Sequence, residues 1–277
     1  MTQWRSLCLL VAATACGGGA VKREAPTSAN AVTITATDYA FGAPDTIQAG
    51  LTTFRLHNPG REPHQAVIAG AEGKTFAELE TALVKAEPTM FAGLTIPVGA
   101  GAVGSGDSSI VTADLTPGNY LVLCYIPSPD GRAHVMKGMY HRLVVIPAAA
   151  GSTRPVEPKA DLTVTLSDYA FALSAPLTTG AHTIRVENTG PQLHEVTIER
   201  LQPGKGLADW QQWIAGGMRG TPPTEPAGGF TGPDKGKVGW LTITLTPGTY
   251  LLLCYVPDAK DGKPHFVHGM VREIAIN

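Results

Sequence analysis

Residues Cys254 to Met270 read CYVPDAKDGKPHFVHGM, and an earlier stretch, Cys124 to Met139, reads CYIPSPDGRAHVMKGM. In the later stretch ten residues separate the thiol of Cys254 from the imidazole of His265, and four more lie before the thioether of Met270. In the earlier one, nine residues lie between Cys124 and His134, and four between His134 and Met139. The remainder of the chain reads as two scaffolds, each built to present one such loop.

The duplication extends well beyond the loops. Asp38-Tyr39-Ala40-Phe41 returns as Asp168-Tyr169-Ala170-Phe171, an offset of 130 that also carries Asn58 to Asn188, His64 to His194 and Cys124 to Cys254. One inserted residue makes the offset 131 for His134 to His265 and Met139 to Met270. Self-similarity at a fixed spacing marks a unit written twice. Each copy carries short β-branched runs separated by Gly and Pro, which predict strands. In the first copy the runs are Ala31 to Ala36, Thr52 to Leu56, His64 to Ile68, Ile110 to Ala113, Asn119 to Cys124 and His141 to Ile146. In the second they are Leu162 to Leu166, His182 to Glu187, His194 to Ile198, Gly239 to Leu245, Thr249 to Cys254 and Val271 to Ile276. Pro117-Gly118 and Pro247-Gly248 predict tight turns. The pattern is that of an all-β fold of two sandwiches.

Each copy also predicts one short helix. Thr75 caps the first, with Glu78 three residues later and Phe76, Leu79 and Leu83 on one face. Leu207 to Ile214 forms the second, with Trp210, Trp213 and Ile214 on its apolar face. Both are expected to cap one end of a sandwich or else to shape a docking surface. Gly99 to Gly106 and Gly216 to Lys237 read as glycine- and proline-rich loops. Ala148 to Ala160 is the linker, so the expected domains are residues 31–150 and 160–277.

The N-terminal MTQWRSLCLLVAATACGGG has a short basic region at Arg5 and an apolar run too short to span a bilayer, the layout of an export signal. Ala13 to Gly17 resembles a bacterial lipobox. On that reading residues 1–16 are a signal peptide, Cys16 is lipidated, 17–30 is a tether, and the protein is exported to the periplasm or cell envelope and held to the membrane through its lipid anchor. A net charge of −2 and the lack of a basic stripe exclude nucleic acid as an expected partner. Of the four cysteines, only Cys124 and Cys254 fall in the two scaffolds. One thiol per half points to a ligand or a buried small residue rather than to disulfides within the halves.

In each half the order is an upstream histidine opening the third strand (His64 or His194), a cysteine ending a later strand (Cys124 or Cys254), a second histidine (His134 or His265) and a methionine (Met139 or Met270). A thiolate, two imidazoles and a distant thioether are the ligands of copper electron-transfer sites. With these residues the chain resembles a tandem cupredoxin, the Greek-key copper fold, and its loops resemble those of the copper nitrite reductases: Cys124, Tyr125, Ile126, Pro127, then His134, Val135, Gly138, Met139; and Cys254, Tyr255, Val256, Pro257, then His265, Phe266, Gly269, Met270. The resemblance implies one copper per domain, held by His64, Cys124, His134 and Met139 and by His194, Cys254, His265 and Met270, with electrons passed to a redox partner protein docking near His134 or His265. The departures are specific. Leu123 and Leu253 stand where the reductases place a histidine for a second, catalytic copper, and His-x-His pairs are lacking, so an enzyme is not expected. Gln65 and Glu195 follow the upstream histidines where small blue proteins carry Asn.

Two further readings stay open: copper storage or delivery, and a metal-free binding or structural module. Asp38-Tyr39-Ala40-Phe41 and its copy read as packing and turn elements. His57 and His182 lie within strands and do not match each other, and His141, aligned with Arg272, reads as structural. His268, aligned with Lys137, reads either as an exposed donor beside the loop or as a histidine that binds nothing.

Overall fold

Strand alternation appears wherever one face of a strand meets a core. The computed structural model describes residues 30–71, 73–85, 94–152 and 155–277. The expected signal peptide, the lipidation position Cys16 and all but the last residue of the tether lie outside these. The first half runs through β1 (Asn30–Thr37), β2 (Ala40–Gly42), β3 (Thr46–Gln48), β4 (Gly50–His57), β5 (His64–Gly70), α1 (Phe76–Lys85), β6 (Thr95–Val103), β7 (Ser108–Leu115), β8 (Gly118–Leu123) and β9 (Tyr140–Ile146). The second runs through β10 (Leu162–Ser167), β11 (Ala170–Leu173), β12 (Gly180–Asn188), β13 (Glu195–Leu201), α2 (Leu207–Ala215), β14 (Thr224–Thr231), β15 (Val238–Leu245), β16 (Gly248–Leu253) and β17 (Val271–Ile276). Val32, Ile34 and Ala36 of β1 alternate inward, as do Leu162, Val164 and Leu166 of β10.

The strands form two mixed sheets, and both run through the whole molecule. One has eight strands in the order β2 and β1, β4, β7, then β15, β12, β10 and β11; in the sequence β2-β1-β4-β7-β15-β12-β10-β11. The other has nine, β3-β9-β8-β5-β6-β14-β13-β16-β17. The expected pair of sandwiches is thus laid edge to edge. β7 pairs antiparallel with β15, its counterpart at the 130-residue offset, and β6 pairs antiparallel with β14. No edge is left open at the join. A single apolar core lies between the sheets and includes Ile34, Leu56, Val111 and Ile68 of the first half with Val164, Val186, Ile198 and Leu252 of the second.

Two expectations about the intervening segments are corrected. The glycine-rich stretches from Gly99 and Gly216 are not simply loops, because β6 extends to Val103 and β14 occupies Thr224–Thr231. Where the two strands meet, glycine is needed because one backbone closes on another: a Cβ on Gly101 would lie 2.6 Å from the Gly229 nitrogen. The helices do not cap the end of a sandwich; they lie on the outer face of the nine-stranded sheet. Leu79 of α1 packs on Val67, Leu121 and Leu123, and Trp210 of α2 on Leu201, Leu251 and Leu253. This cover is why β5 is buried on both faces. The Thr75 cap forms as expected, with Thr75 N–H donating to Glu78 at 2.8 Å and Glu78 N–H to Thr75 Oγ1 at 3.3 Å. Among the described residues no helix is long and apolar enough to cross a membrane.

Candidate metal centres

β8 delivers Cys124 to one end of the sandwich, and backbone bonds then fold the loop back on it. His134 N–H donates to Ile126 O at 2.9 Å, Val135 N–H to Cys124 O at 2.8 Å, and Cys124 N–H to Met139 O at 3.4 Å. A single 3-10 turn, His134–Lys137, ends at Gly138, whose φ of 94° is the left-handed conformation that glycine tolerates best. The second half repeats the scheme: His265 N–H to Val256 O at 2.9 Å, Phe266 N–H to Cys254 O at 3.0 Å, Cys254 N–H to Met270 O at 3.3 Å, and Gly269 at φ 99°.

The upstream histidines are set by the buried asparagines of the repeat. Asn58 Nδ2 donates to the carbonyls of Glu62 and Val103 at 2.9 and 3.0 Å, and its Oδ1 accepts from Gly60 N–H at 2.9 Å. Asn188 does the same with Gln192, Pro233 and Gly190, at 2.7, 2.9 and 2.9 Å. These clamps shape the turn that swings His64 and His194 inward. A Cβ on Gly190 would sit 2.6 Å from His194 Nε2, so the turn has room only for glycine there.

The predicted residues converge. In the first half His64 Nδ1 lies 3.1 Å from His134 Nδ1, and the Cys124 sulfur lies 3.4 Å from His134 Nδ1 and 3.9 Å from His64 Nδ1. In the second, His194 Nδ1 lies 3.0 Å from His265 Nδ1, and the Cys254 sulfur 3.2 Å from His265 Nδ1. All six side chains are 0% exposed. Both cysteines are free thiols. Met139 and Met270 are also fully buried, in the same core as the cysteines.

What sequence reading missed is the outer ring of carboxylates. His64 Nε2 donates to Asp38 at 2.8 Å, His134 Nε2 to Glu62 at 2.8 Å and His194 Nε2 to Asp168 at 2.6 Å. Asp38 and Asp168 belong to the repeated Asp-Tyr-Ala-Phe element, which is therefore part of the site as well as a packing device. Phe41 and Phe171 do fill the core, while Tyr39 O–H donates to Glu62 at 2.7 Å and Tyr169 O–H bonds Asp258. The only advance signal was that this element persists at the repeat offset together with the histidines.

The carboxylates decide the tautomers. An acceptor at Nε2 puts the hydrogen there and leaves Nδ1 a bare lone pair. Burial lowers the pKa of His134, His194 and His265, the last to about 4, and keeps these rings neutral at pH 7. Burial works to raise Asp38 and Glu62, but their bonds to His64 and to Tyr39 and His134 outweigh it and hold both below the usual carboxylate range. Burial pushes the Cys124 thiol up to about 11, and the Cys254 thiol well above its ordinary value. In the first half the result is two lone pairs facing one another at 3.1 Å beside a sulfur, with no solvent to separate them.

That donor set fits a metal ion. Bonds of about 2.0–2.3 Å to imidazole nitrogen and thiolate sulfur call for donors a few ångströms apart around a common centre, which is how these stand. Both His-Cys-His groups have all donor atoms within 4.8 Å of one another.

The two centres differ in their surroundings. Gln192 stands at the Glu62 position, and the acid is supplied instead by Asp258, at the Ser128 position. Asp258 lies 3.9 Å from His265 Nε2, beyond hydrogen-bond reach, and that buried nitrogen has no partner among the described residues. Glu195 is buried in the second half, donating its N–H to the Cys254 sulfur at 3.4 Å and accepting Tyr255 N–H at 2.9 Å. Burial raises its pKa to about 7. Leu123 and Leu253 point to the helix-covered outer face of the sheet.

No protein-family model matches the chain, and no curated protein matches it in sequence. Solved structures that it resembles include a dithionite-reduced auracyanin from the photosynthetic bacterium Roseiflexus castenholzii, 20% identical over 43% of this chain and 99% of that one, with a TM-score of 0.32. Auracyanin A, a blue copper protein from Chloroflexus aurantiacus, is 20% identical over 42% of this chain and 98% of its own, at 0.30. A copper nitrite reductase from Nitrosomonas europaea is 14% identical over 89% of this chain and 93% of its own, at 0.26. At such scores these likenesses carry no weight on function, and the centres stand on their own geometry.

Proposed function

We propose that the chain is a copper-binding, one-electron-transfer protein of the cell envelope, with one cupredoxin-like centre in each half. His64, Cys124 and His134 would hold the metal in the first, and His194, Cys254 and His265 in the second, with Met139 and Met270 as weak further ligands. The observation that carries this is the pair of buried triads in which two imidazoles turn Nδ1 toward a thiol, three of the four held there by carboxylates. When bound, copper would supply a one-electron couple, and a thiolate with two imidazoles suits both of its oxidation states.

The chain's own contribution is rigidity and dryness. The loops are tied by backbone bonds, His64, His134 and His194 are tied by carboxylates, and full burial excludes water, so the ligands have little to rearrange when charge changes. Full burial also favours retention of the metal over its delivery elsewhere. The reading includes no substrate: Leu123 and Leu253 offer no donor where the resemblance would need a second, catalytic copper. A partner would meet the exposed apolar Met136 and Val267, which stand at equivalent places beside the two loops at 42% and 54% exposure. Residues 31–150 and 160–277 would be the two units, with residues 1–16 as the export signal and Cys16 as the lipid attachment point.

The test is metal analysis and a visible spectrum of copper-loaded protein. Two coppers per chain and an intense sulfur-to-copper charge-transfer band are expected. Cys124→Ser and Cys254→Ser should each remove one copper and its share of the band; a full copper count in the double variant would sink the assignment.

A further inference from the structure

Beside the second loop stands a set of donors that the buried centres do not use. We propose that Asp258, Asp261 and His268 form a third metal site, open to solvent on the side of Asp261 and His268, that takes a divalent transition cation such as Zn2+. Their ligand atoms all lie within 4.8 Å of one another, and Asp261 Oδ1 is 3.2 Å from His268 Nε2. Carboxylate and imidazole together suit such ions. The site does not depend on the copper reading.

Two independent observations point to a ligand here. The first is the unpartnered Nε2 of His265. This side chain is 0% exposed, and the nitrogen faces Asp258 Oδ2 across 3.9 Å. The equivalent nitrogen of the first half, on His134, is satisfied by Glu62. Leaving a buried polar nitrogen unpaired is unfavourable. A hydrated cation held on Asp258 brings a water to that nitrogen, which can accept from it or donate to it.

The second is what the first half puts in the same place. There Lys137, at the position of His268, carries its ammonium to Asp130 at 2.9 Å, and to within 4.6 Å of the Tyr39 ring centre. In the second half no ammonium stands at that position. His268 stacks on Tyr169, the counterpart of Tyr39, with ring centres 4.8 Å apart. The acid at Asp261 faces it, and Asp258 has been gained where the first half has Ser128. A built-in cation has been exchanged for groups that bind one. Lys263 is 3.7 Å from Asp261 Oδ2, with its side chain largely exposed, and can swing aside. Asp258 already accepts from Tyr169 O–H at 2.5 Å, Gln192 Nε2 at 2.9 Å and Lys260 N–H at 2.8 Å, which hold it ionised and in place. Those bonds keep its pKa low, led by the one from Tyr169.

The experiment is a Zn2+ titration of the full chain, read by calorimetry and by the ring-nitrogen resonances of the histidines, on wild type, Asp261→Asn and His268→Ala. Both substitutions are at the surface, outside the buried triads. Wild type should bind one equivalent that shifts the His268 nitrogens. Asp261→Asn should weaken that equivalent by more than the roughly 10–100-fold that loss of an outer-shell partner costs, and His268→Ala should abolish it. The same titration on the Cys124→Ser/Cys254→Ser protein should retain it, which separates this site from the buried ones. Unmoved His268 resonances in wild type, or equal Zn2+ stoichiometry and affinity in wild type and His268→Ala, would overturn the proposal.

Discussion

Glu62 accepts the Nε2–H of His134 at 2.8 Å, whereas its positional counterpart in the second half is Gln192, which is bonded not to a histidine but to Asp168 and Asp258. Two centres with the same inner donors therefore sit in different fields. Glu62→Gln should make the first centre more like the second. Loss of an outer carboxylate from a ligating histidine lowers metal affinity by about 10–100-fold. Competition against a chromophoric Cu(I) chelator, on a Cys254→Ser background, measures it. Asp258→Asn on a Cys124→Ser background should have a smaller effect, because Asp258 stands 3.9 Å from its histidine. Equal losses at the two centres would contradict this.

The inner donors were legible in the sequence because Cys124, His134 and Met139 lie within one loop and recur at a fixed offset. The carboxylates were not, since Asp38 reaches His64 across 26 residues and Glu62 reaches His134 across 72. Nor does position alone reveal an exchange in which the acid moves from the Glu62 position to the Ser128 position and no longer reaches the histidine. Core strands such as β1 and β10 were legible from their period-two alternation. β6 and β14 were not, because their composition answers to a different demand. Glycine and proline usually mark loops, but here glycine is selected by the approach of one backbone to another.

That approach can be tested at Gly101. A Cβ there would meet three backbone atoms of Gly228 and Gly229 at 2.6–2.7 Å. Backbone cannot turn aside as a long side chain can, so Gly101→Ala should destabilise the protein by about 1–3 kcal/mol, the usual range for overpacking. Gly42→Ala is the control. Its nearest neighbour would be Thr35 Cβ at 3.8 Å, an ordinary contact, and its effect should stay within about 0.5 kcal/mol. Urea midpoints of the two variants decide the matter.

Continuity of the sheets and of the core predicts that the halves unfold together. All three tryptophans of the described residues, Trp210, Trp213 and Trp240, lie in the second half. Trp210 and Trp213, on α2, report on that half, and Trp240 on its join with the first, where it pairs with Thr112. Leu56 is a fully buried core residue of the first half. Leu56→Ala should cost about 2–5 kcal/mol, and the tryptophan midpoint should fall in step with the circular dichroism midpoint. A tryptophan transition left in place while part of the dichroism is lost earlier would show two separately folding units.

Glu199 supplies a pH-dependent prediction away from the metal ligands. It lies beneath α2, accepting Thr224 O–H at 2.6 Å and Tyr255 O–H at 2.7 Å. Burial raises its pKa above that of an ordinary glutamate, and the two hydroxyl bonds only partly offset this. A group with a raised folded-state pKa contributes stability that is fully present below its unfolded pKa of about 4.3 and is lost as pH rises through the folded value. At higher pH the folded protein must hold a buried charge. Glu199→Gln keeps an acceptor oxygen for one of the two hydroxyls, sets an NH2 donor opposite the other as the protonated acid sets its O–H, and cannot ionise. Relative to wild type it should gain thermal stability as pH increases and lose that advantage as pH falls toward 4. Thermal melts across this range test it, and a difference between the proteins that does not change with pH would show that Glu199 does not titrate in the folded state.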